Sequence, residues 1–297
     1  MRQDANSRLT LPLEGRVATL GPTGRSKAGE GVILWITDGP SPSIPPLQGE
    51  GGEGAKAGES RRLNSVATSA EITETPILRF AGHNFEPLPS GALYWHSQQT
   101  LLVADLHFEK MASFARRGQM LPPYDTGMTL ARLEADLRRT GAARLISLGD
   151  TFHRVDASSL LTLSDRMRLD AITEMVDCTW LSGNHDPAPH AIGGTCLPQL
   201  ELAGLTLSHE PQRGANGLVA GHLHPAAHVY FQGRSTRRPC FVHDNRLLIL
   251  PAYGASTGAL NILSPAFFGL LNWPSVEVTM LGRDRTYPVS PKRLVRG

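Results

Sequence analysis

The sequence predicts an α/β sandwich, and three observations carry that prediction. Two nearly continuous apolar runs, "TLLVAD" (100–105) and "ARLISLGD" (143–150), each end in an acid, as buried strands with chemistry at their carboxyl ends do. A segment of helical period lies between them. A series of short strands without intervening helices then fills residues 205–250, which argues for layered sheets rather than a helix bundle.

The elements follow in order. "ILRF" (77–80) and "ALYW" (92–95) read as strands joined through a Gly/Pro-bearing turn, and "TLLVAD" is the first buried strand. "MTLARLEADLRRT" (128–140) sets Leu130, Leu133 and Leu137 at helical spacing, and Gly141 closes that helix. After "ARLISLGD" comes an amphipathic helix over "DRMRLDAITEMV" (165–176). "CTWLSGNHD" (178–186) is then a third strand running into a loop. "LTLSH" (205–209), "GLVAGH" (217–222), "CFVHD" (240–244) and "LLIL" (247–250) complete the strand series, and no internal repeat is present.

Residues 1–75 break from this pattern. They hold 11 of the 30 glycines and six prolines, centred on "SPSIPPLQGEGGEGAKAGE" (41–59). Such a composition buries too little apolar surface to offset its ordering entropy, so a disordered, low-complexity extension is predicted before a domain spanning 76–297. A flexible partner-binding tail and a reading frame begun too far upstream are the alternatives. Three cysteines, Cys178, Cys196 and Cys240, lie far apart without CxxC spacing, which excludes a zinc ribbon and fits a reducing compartment. No 18-residue apolar run and no basic-then-apolar leader is found, so a cytoplasmic protein without a membrane span is expected. The formal charge of +2 selects no partner by itself. Of 29 basic residues only Lys27, Lys56, Lys110 and Lys292 are lysines, a bias that suits phosphate contacts and equally reflects GC-rich codons.

Five short segments each follow a predicted strand: Asp105 with His107, Gly149 with Asp150, Gly183 through Asp186, His209, and Gly221 with His222 and His224. In α/β sheets ligand groups collect beyond the carboxyl ends of strands, so the five can converge. They offer carboxylates, an amide oxygen and several imidazoles. That mixed N/O set suits Mn²⁺, Fe or Zn²⁺ better than the all-oxygen shell of Ca²⁺ or Mg²⁺. In extended backbone His222 and His224 would point to one face. Any one segment alone has a structural explanation as a turn. The ordered set of five is much harder to reach by accident.

The ordered pattern DxH, GD, GNHD, H and GHxH resembles the calcineurin-like metallophosphoesterase superfamily over roughly residues 77–260. The resemblance implies a four-layer α/β/β/α sandwich and two divalent metal ions, manganese first, with iron or zinc as alternatives. It assigns Asp105, His107 and His224 to one ion, Asn184, His209 and His222 to the other, and Asp150 to both. "LLVADLHFEK", "SLGDTFHR", "GHLHP" and "RPCFVHDNRLLILPAYGASTG" (238–258) look more specifically like the bacterial ligase-associated DNA damage response phosphodiesterase (endonuclease) family. Its members are encoded beside a DNA ligase, a helicase and an exonuclease, which implies functional association with them. Two positions depart from that pattern: many members carry Gly where Glu109 stands, and an acid is common where His153 stands.

A dinuclear site of this kind clamps a phosphoryl group and acidifies water for in-line attack on phosphorus. His185 is expected to contact a non-bridging oxygen or protonate the leaving group, with Asp186 orienting its imidazole or capping the following turn. His153 is a candidate substrate contact or a shield for Asp150. Arg116, Arg117, Arg234, Arg237 and Arg238 flank the motif loops and can hold a DNA backbone or end, or form a solvated charged face. His83, His96, His190, His228 and His243 have no place in the signature. The leading expectation is a metal-dependent phosphodiesterase acting on DNA. The alternatives are the same chemistry on a small nucleotide or phosphomonoester, and a non-catalytic scaffold that the complete ligand set disfavours.

Overall fold

The structure is a computed structural model that describes residues 76–115, 118, 124–231 and 233–296. The predicted disordered extension, residues 1–75, lies outside the described residues.

A seven-stranded sheet runs in chain order: β1 (Leu78–Phe80), β2 (His83–Pro87), β3 (Leu93–Trp95), β4 (Thr100–Val103), β5 (Arg144–Ser147), β6 (Asp177–Leu181) and β7 (Thr195–Leu197). The first four strands are antiparallel, and β4 to β7 are parallel. The predicted β1–β3 turn contains β2. A two-residue hairpin at Ala81 and Gly82, both with positive φ (47° and 83°), reverses the chain there. Ala-Gly lacks the Asn-Gly or Asp-Gly signal of such turns, so the strand pair is not visible from local sequence.

Among the described residues, three α-helices accompany this sheet: α1 (Lys110–Ala115), α2 (Asp125–Thr140) and α3 (Leu163–Met175). Gly141, left-handed at φ 60°, closes α2 by donating its N–H to Leu137 O, and the Thr162 hydroxyl caps α3 by accepting from Asp165 N. α2 and α3 place Leu130, Leu133, Leu137, Leu169 and Ile172 against Leu101, Val103 and Leu145 of the sheet.

The second sheet has the order β14-β11-β12-β13-β10-β9-β8. Its strands are β8 (Leu200–Leu202), β9 (Leu205–Leu207), β10 (Leu218–Ala220), β11 (Pro225–Phe231), β12 (Arg234–His243), β13 (Leu247–Ile249) and β14 (Leu260–Asn261). β15 (Glu277–Leu281) pairs with β12, and β16 (Thr286–Val289) with β15.

Between the sheets, Leu102, Ala104, Ile146 and Leu148 meet Leu207, Val219, Phe241 and Leu248. Alternate residues of β4 thus enter different cores, Leu101 and Val103 toward the helices and Leu102 toward the second sheet. A strand buried on both faces has to be apolar throughout, which accounts for the unbroken run in the sequence. On the outer face of the second sheet, Phe267, Leu271 and Val276 pack on Ala220, Val242 and Ile249. This fourth layer is built from short 3-10 turns, Pro265–Phe267 and Trp273–Ser275, instead of α-helix.

Candidate metal centre

Both sheets direct the carboxyl ends of parallel strands to one place. β4 leads to Asp105 and His107, β5 to Asp150, and β6 to Asn184. β9 leads to His209, and β10, parallel to it, leads to His222 and His224. The loops are stitched together by main-chain bonds: His107 N donates to Asp150 O at 2.9 Å, Asp105 N to Gly149 O at 3.2 Å, and Gly221 N to His209 O at 3.0 Å.

Glycine is required at two of these turns by close approach. A Cβ on Gly149, whose φ is +81°, would lie 2.5 Å from His209 Nδ1, and one on Gly183 would lie 2.1 Å from Asp150 Oδ1. Asp105, His107, Asp150, His222 and His224 all have left-handed backbone, with φ between 44° and 70°. The extended geometry expected for His222 and His224 is therefore not found. The chain leaves β10 at Ala220, coils through both residues, and re-enters extended structure at Pro225. Left-handed backbone at 222 and again at 224 breaks the two-residue alternation of a strand, so the two imidazoles join different clusters. Glu109 is left-handed as well, at φ 61°, a conformation that costs a non-glycine residue roughly 1–2 kcal/mol. That explains why glycine suits the position.

In the first cluster, atoms of Asp105, His107 and His224 that can ligate a metal ion all lie within 4.8 Å of one another. His224 Nε2 is 3.3 Å from both His107 Nε2 and Asp105 Oδ1. A second cluster contains Asn184, His209 and His222. Asn184 Oδ1 is 2.9 Å from His209 Nε2 and 2.9 Å from His222 Nδ1, and those two nitrogens are 3.1 Å apart. Asp150 Oδ2 lies between the clusters, 3.8 Å from His107 Nε2 and 3.5 Å from His209 Nε2.

Hydrogen bonding on the far side of two of the rings fixes what they turn inward. His209 Nδ1 is 2.8 Å from Leu148 O, and His224 Nδ1 is 3.1 Å from Gly258 O. A carbonyl only accepts, so each Nδ1 carries the proton, and in the neutral ring Nε2 presents a lone pair. Lone pairs of imidazole and amide oxygen at about 3 Å repel unless a cation sits among them. The donor set, acceptor-rich and buried at Asp105, His107, Asp150 and His209, fits divalent metal.

Electrostatics agree. Asp105, His107, Asp150 and His209 are buried. Burial, reinforced by His224 and other nearby cations, pushes the His107 imidazole down to about 2, keeping it neutral. His222 is also lowered, first by burial and then by His209. Burial pulls His224 down too, but hydrogen bonding and attraction to Asp105 outweigh it and leave this imidazole above its ordinary value. Burial raises Asp150 against the pull of His209.

His185 stands at the open side, its side chain 40% exposed. Its backbone N–H donates to Asp150 Oδ1 at 2.9 Å, and its ring Nδ1 lies 3.0 Å from the His153 carbonyl. That carbonyl orients the imidazole, where Asp186 was expected to. Asp186 instead accepts from Phe152 N at 2.9 Å, and burial raises its carboxyl to about 6. The backbone role of position 153 has no side-chain signature, so motif reading misses it. The His153 ring stacks on that of His185, centroids 5.0 Å apart and 22° between planes.

The expected arginines divide. Arg116 and Arg117 lie outside the described residues. Arg234 and Arg238 share one face of β12, while Arg237 is on the other, as strand alternation requires. Arg237 donates to the Ala259 carbonyl, next to the Gly258 carbonyl that holds His224. Of the histidines without a motif, His190 packs edge-on against Phe152 and Trp180, and His228 contacts the Ser235 hydroxyl.

The fold is similar to that of Pseudomonas putida nuclease MPE, with 30% sequence identity and a TM-score of 0.56, over 72% of this chain and 99% of that one. YfcE, a phosphoesterase from E. coli, aligns at 16% identity and a TM-score of 0.31, over 65% of this chain and 94% of its own. No protein-family model matches the chain, and no curated protein is significantly similar to it.

Proposed function

This chain belongs to the metallophosphoesterases, and from that premise we propose that it is a phosphodiesterase that uses two divalent metal ions to hydrolyse DNA. Asp105, His107 and His224 would hold one ion, Asn184, His209 and His222 the other, and Asp150 both. The observation that carries this reading is the inward convergence of acceptor atoms on both sides of the Asp150 carboxylate. Bound there, two divalent ions supply charge neutralisation of a phosphoryl group and acidification of water near neutral pH.

The chain's own residues supply the rest. His185, tied through Nδ1 to the His153 carbonyl, holds Nε2 4.0 Å from Asp150 Oδ2, where it meets a non-bridging oxygen or gives a proton to the departing alkoxide. The stacked His153 ring keeps that imidazole from turning and stands where substrate enters. Water adds to phosphorus, the P–O bond to the leaving sugar oxygen breaks, and that oxygen takes up the proton. The nuclease neighbour favours a polynucleotide over a phosphomonoester. Manganese as the working ion, a cytoplasmic role in DNA repair, and association with a ligase, a helicase and an exonuclease complete the proposal.

The test is a side-by-side assay with added Mn²⁺ on oligonucleotides, cyclic dinucleotides, phosphomonoesters and bis(p-nitrophenyl) phosphate. Cleavage of oligonucleotides and of the chromogenic diester is expected. Rapid turnover of nucleotides with no action on oligonucleotides would refute the DNA assignment.

A further inference from the structure

A groove of about 740 Å³ opens between the Thr236 and Arg238 face of β12 and the β15–β16 hairpin, and reaches Arg283, Tyr287 and Arg293. A second groove, of about 520 Å³, shares Arg238, Leu281, Gly282 and Arg283 with it and continues along Gly254 and Thr257. The loop walling this second groove also serves the metal centre. Gly254 N donates to Asp105 O at 3.2 Å, and the Gly258 carbonyl orients His224. One loop thus separates the joined grooves from two of the proposed ligands.

The charge of this surface is one-sided. Arg139, Arg144, Arg154, Arg166, Arg168 and Arg246 each hold a carboxylate. No acid lines either groove, and among the described residues none pairs with Arg238 or Arg283. Tyr287 is 44% exposed, lies against Gly282, where a Cβ would come within 2.3 Å of its ring, and carries the Arg285 guanidinium over the ring, 5.0 Å from its centroid. Cations spaced along a groove beside an exposed aromatic ring are the elements that bind a nucleic-acid strand, phosphates on arginine and bases on the ring.

We propose that the joined grooves bind a single strand of nucleic acid outside the metal centre, with Arg238 and Arg283 on its phosphates and Tyr287, with Arg285 over its ring, against a base. This rests on the reading of the site as a polynucleotide hydrolase and adds where the uncut strand is held.

The experiment measures anisotropy of a labelled single-stranded oligonucleotide with EDTA-treated protein across a salt series. Against wild type, Arg238→Ala/Arg283→Ala is expected to bind more weakly and to flatten the slope of log K on log salt by about 1.4, roughly 0.7 per lost phosphate contact. Arg238→Lys/Arg283→Lys should restore most of the slope. Tyr287→Ala should weaken binding about tenfold or more at unchanged slope. Equal affinity and slope in wild type and the double alanine variant would overturn the proposal, as would equal competition by poly-glutamate. Failure of wild type to cut any oligonucleotide sinks the hydrolase reading. Normal cutting by wild type with an unaffected double variant sinks only the groove.

Discussion

Gly149→Ala tests whether the turn after β5 is built around His209. Gly149 has φ +81°, and an added Cβ would stand 2.5 Å from His209 Nδ1 and 2.7 Å from its Cβ. That imidazole cannot easily withdraw, because Nδ1 is held by Leu148 O at 2.8 Å and Nε2 faces Asn184. Gly82 supplies the control: its φ is +83°, and nothing lies within 4 Å of a Cβ placed there. Alanine in left-handed backbone costs roughly 1–2 kcal/mol, and loss of unfolded-chain entropy returns about 0.4–1 kcal/mol. Gly82→Ala should therefore cost about 1 kcal/mol. Gly149→Ala adds an overpacking cost of roughly 1–3 kcal/mol, for a total of about 2–4 kcal/mol. At 2–4 °C per kcal/mol for a domain of this size, calorimetry in EDTA should show a loss of about 5–15 °C for Gly149→Ala and about 2–4 °C for Gly82→Ala. Metal titration should then show affinity reduced roughly 10–100-fold at position 149 only, because His209 is displaced. Equal melting of the two variants would refute the packing argument.

Asp150→Asn should abolish turnover of bis(p-nitrophenyl) phosphate, since the carboxylate faces both clusters; retained activity would remove the two-ion assignment. His185→Ala should keep both metals by elemental analysis and lose about 10²–10⁴-fold in rate, whereas metal loss in step with rate would make it a ligand. His224 is the imidazole whose value is raised, through Asp105, while His107 and His222 are lowered. In the metal-free protein its proton therefore stabilises the fold below the ordinary imidazole pKa of about 6.5, and this contribution is lost as pH rises through the raised value. Metal must displace that proton, so calorimetry in buffers of different ionisation enthalpy should show proton release and tighter binding as pH rises; affinity flat with pH would contradict the assignment. A chain beginning at Pro76 should match the full chain in melting temperature and diesterase rate, and a clear drop in either would show that residues 1–75 contribute.

The five ligand-bearing segments are legible in the sequence because each follows an apolar run, three of them through a glycine (Gly149, Gly183 and Gly221), and parallel strands must deliver such ends to one side. β4 and β5 are readable through their centres: burial on both faces keeps Leu101, Leu102 and Val103 and then Leu145 and Ile146 apolar. What stays hidden depends on partners distant in the chain or on backbone atoms. β2 folds back through an Ala-Gly turn that carries no hairpin signal. β11 becomes a strand by pairing with β12 and with β14 more than thirty residues on. The split of Arg237 from Arg234 and Arg238 follows from register, which fixes alternation once the hairpin is known. Likewise the partner of His185 is a main-chain carbonyl, invisible to any reading of side-chain types.

The left-handed backbone of the proposed ligands bears on how the site works. Asp105, His107, Asp150, His222 and His224 each occupy a conformation that the unfolded chain visits rarely. They are held there by bonds between loops, such as His107 N to Asp150 O and Leu260 N to His224 O, and by the two-sided burial of the strands that carry them. The strain gives a short-range benefit. A strand continued through residues 222–224 would place both imidazoles on one face, able to serve one ion. The coiled path instead sends His222 Nδ1 to Asn184 and His224 Nε2 to Asp105. Two histidines one residue apart thereby feed two clusters on either side of one carboxylate, an arrangement that regular secondary structure does not provide.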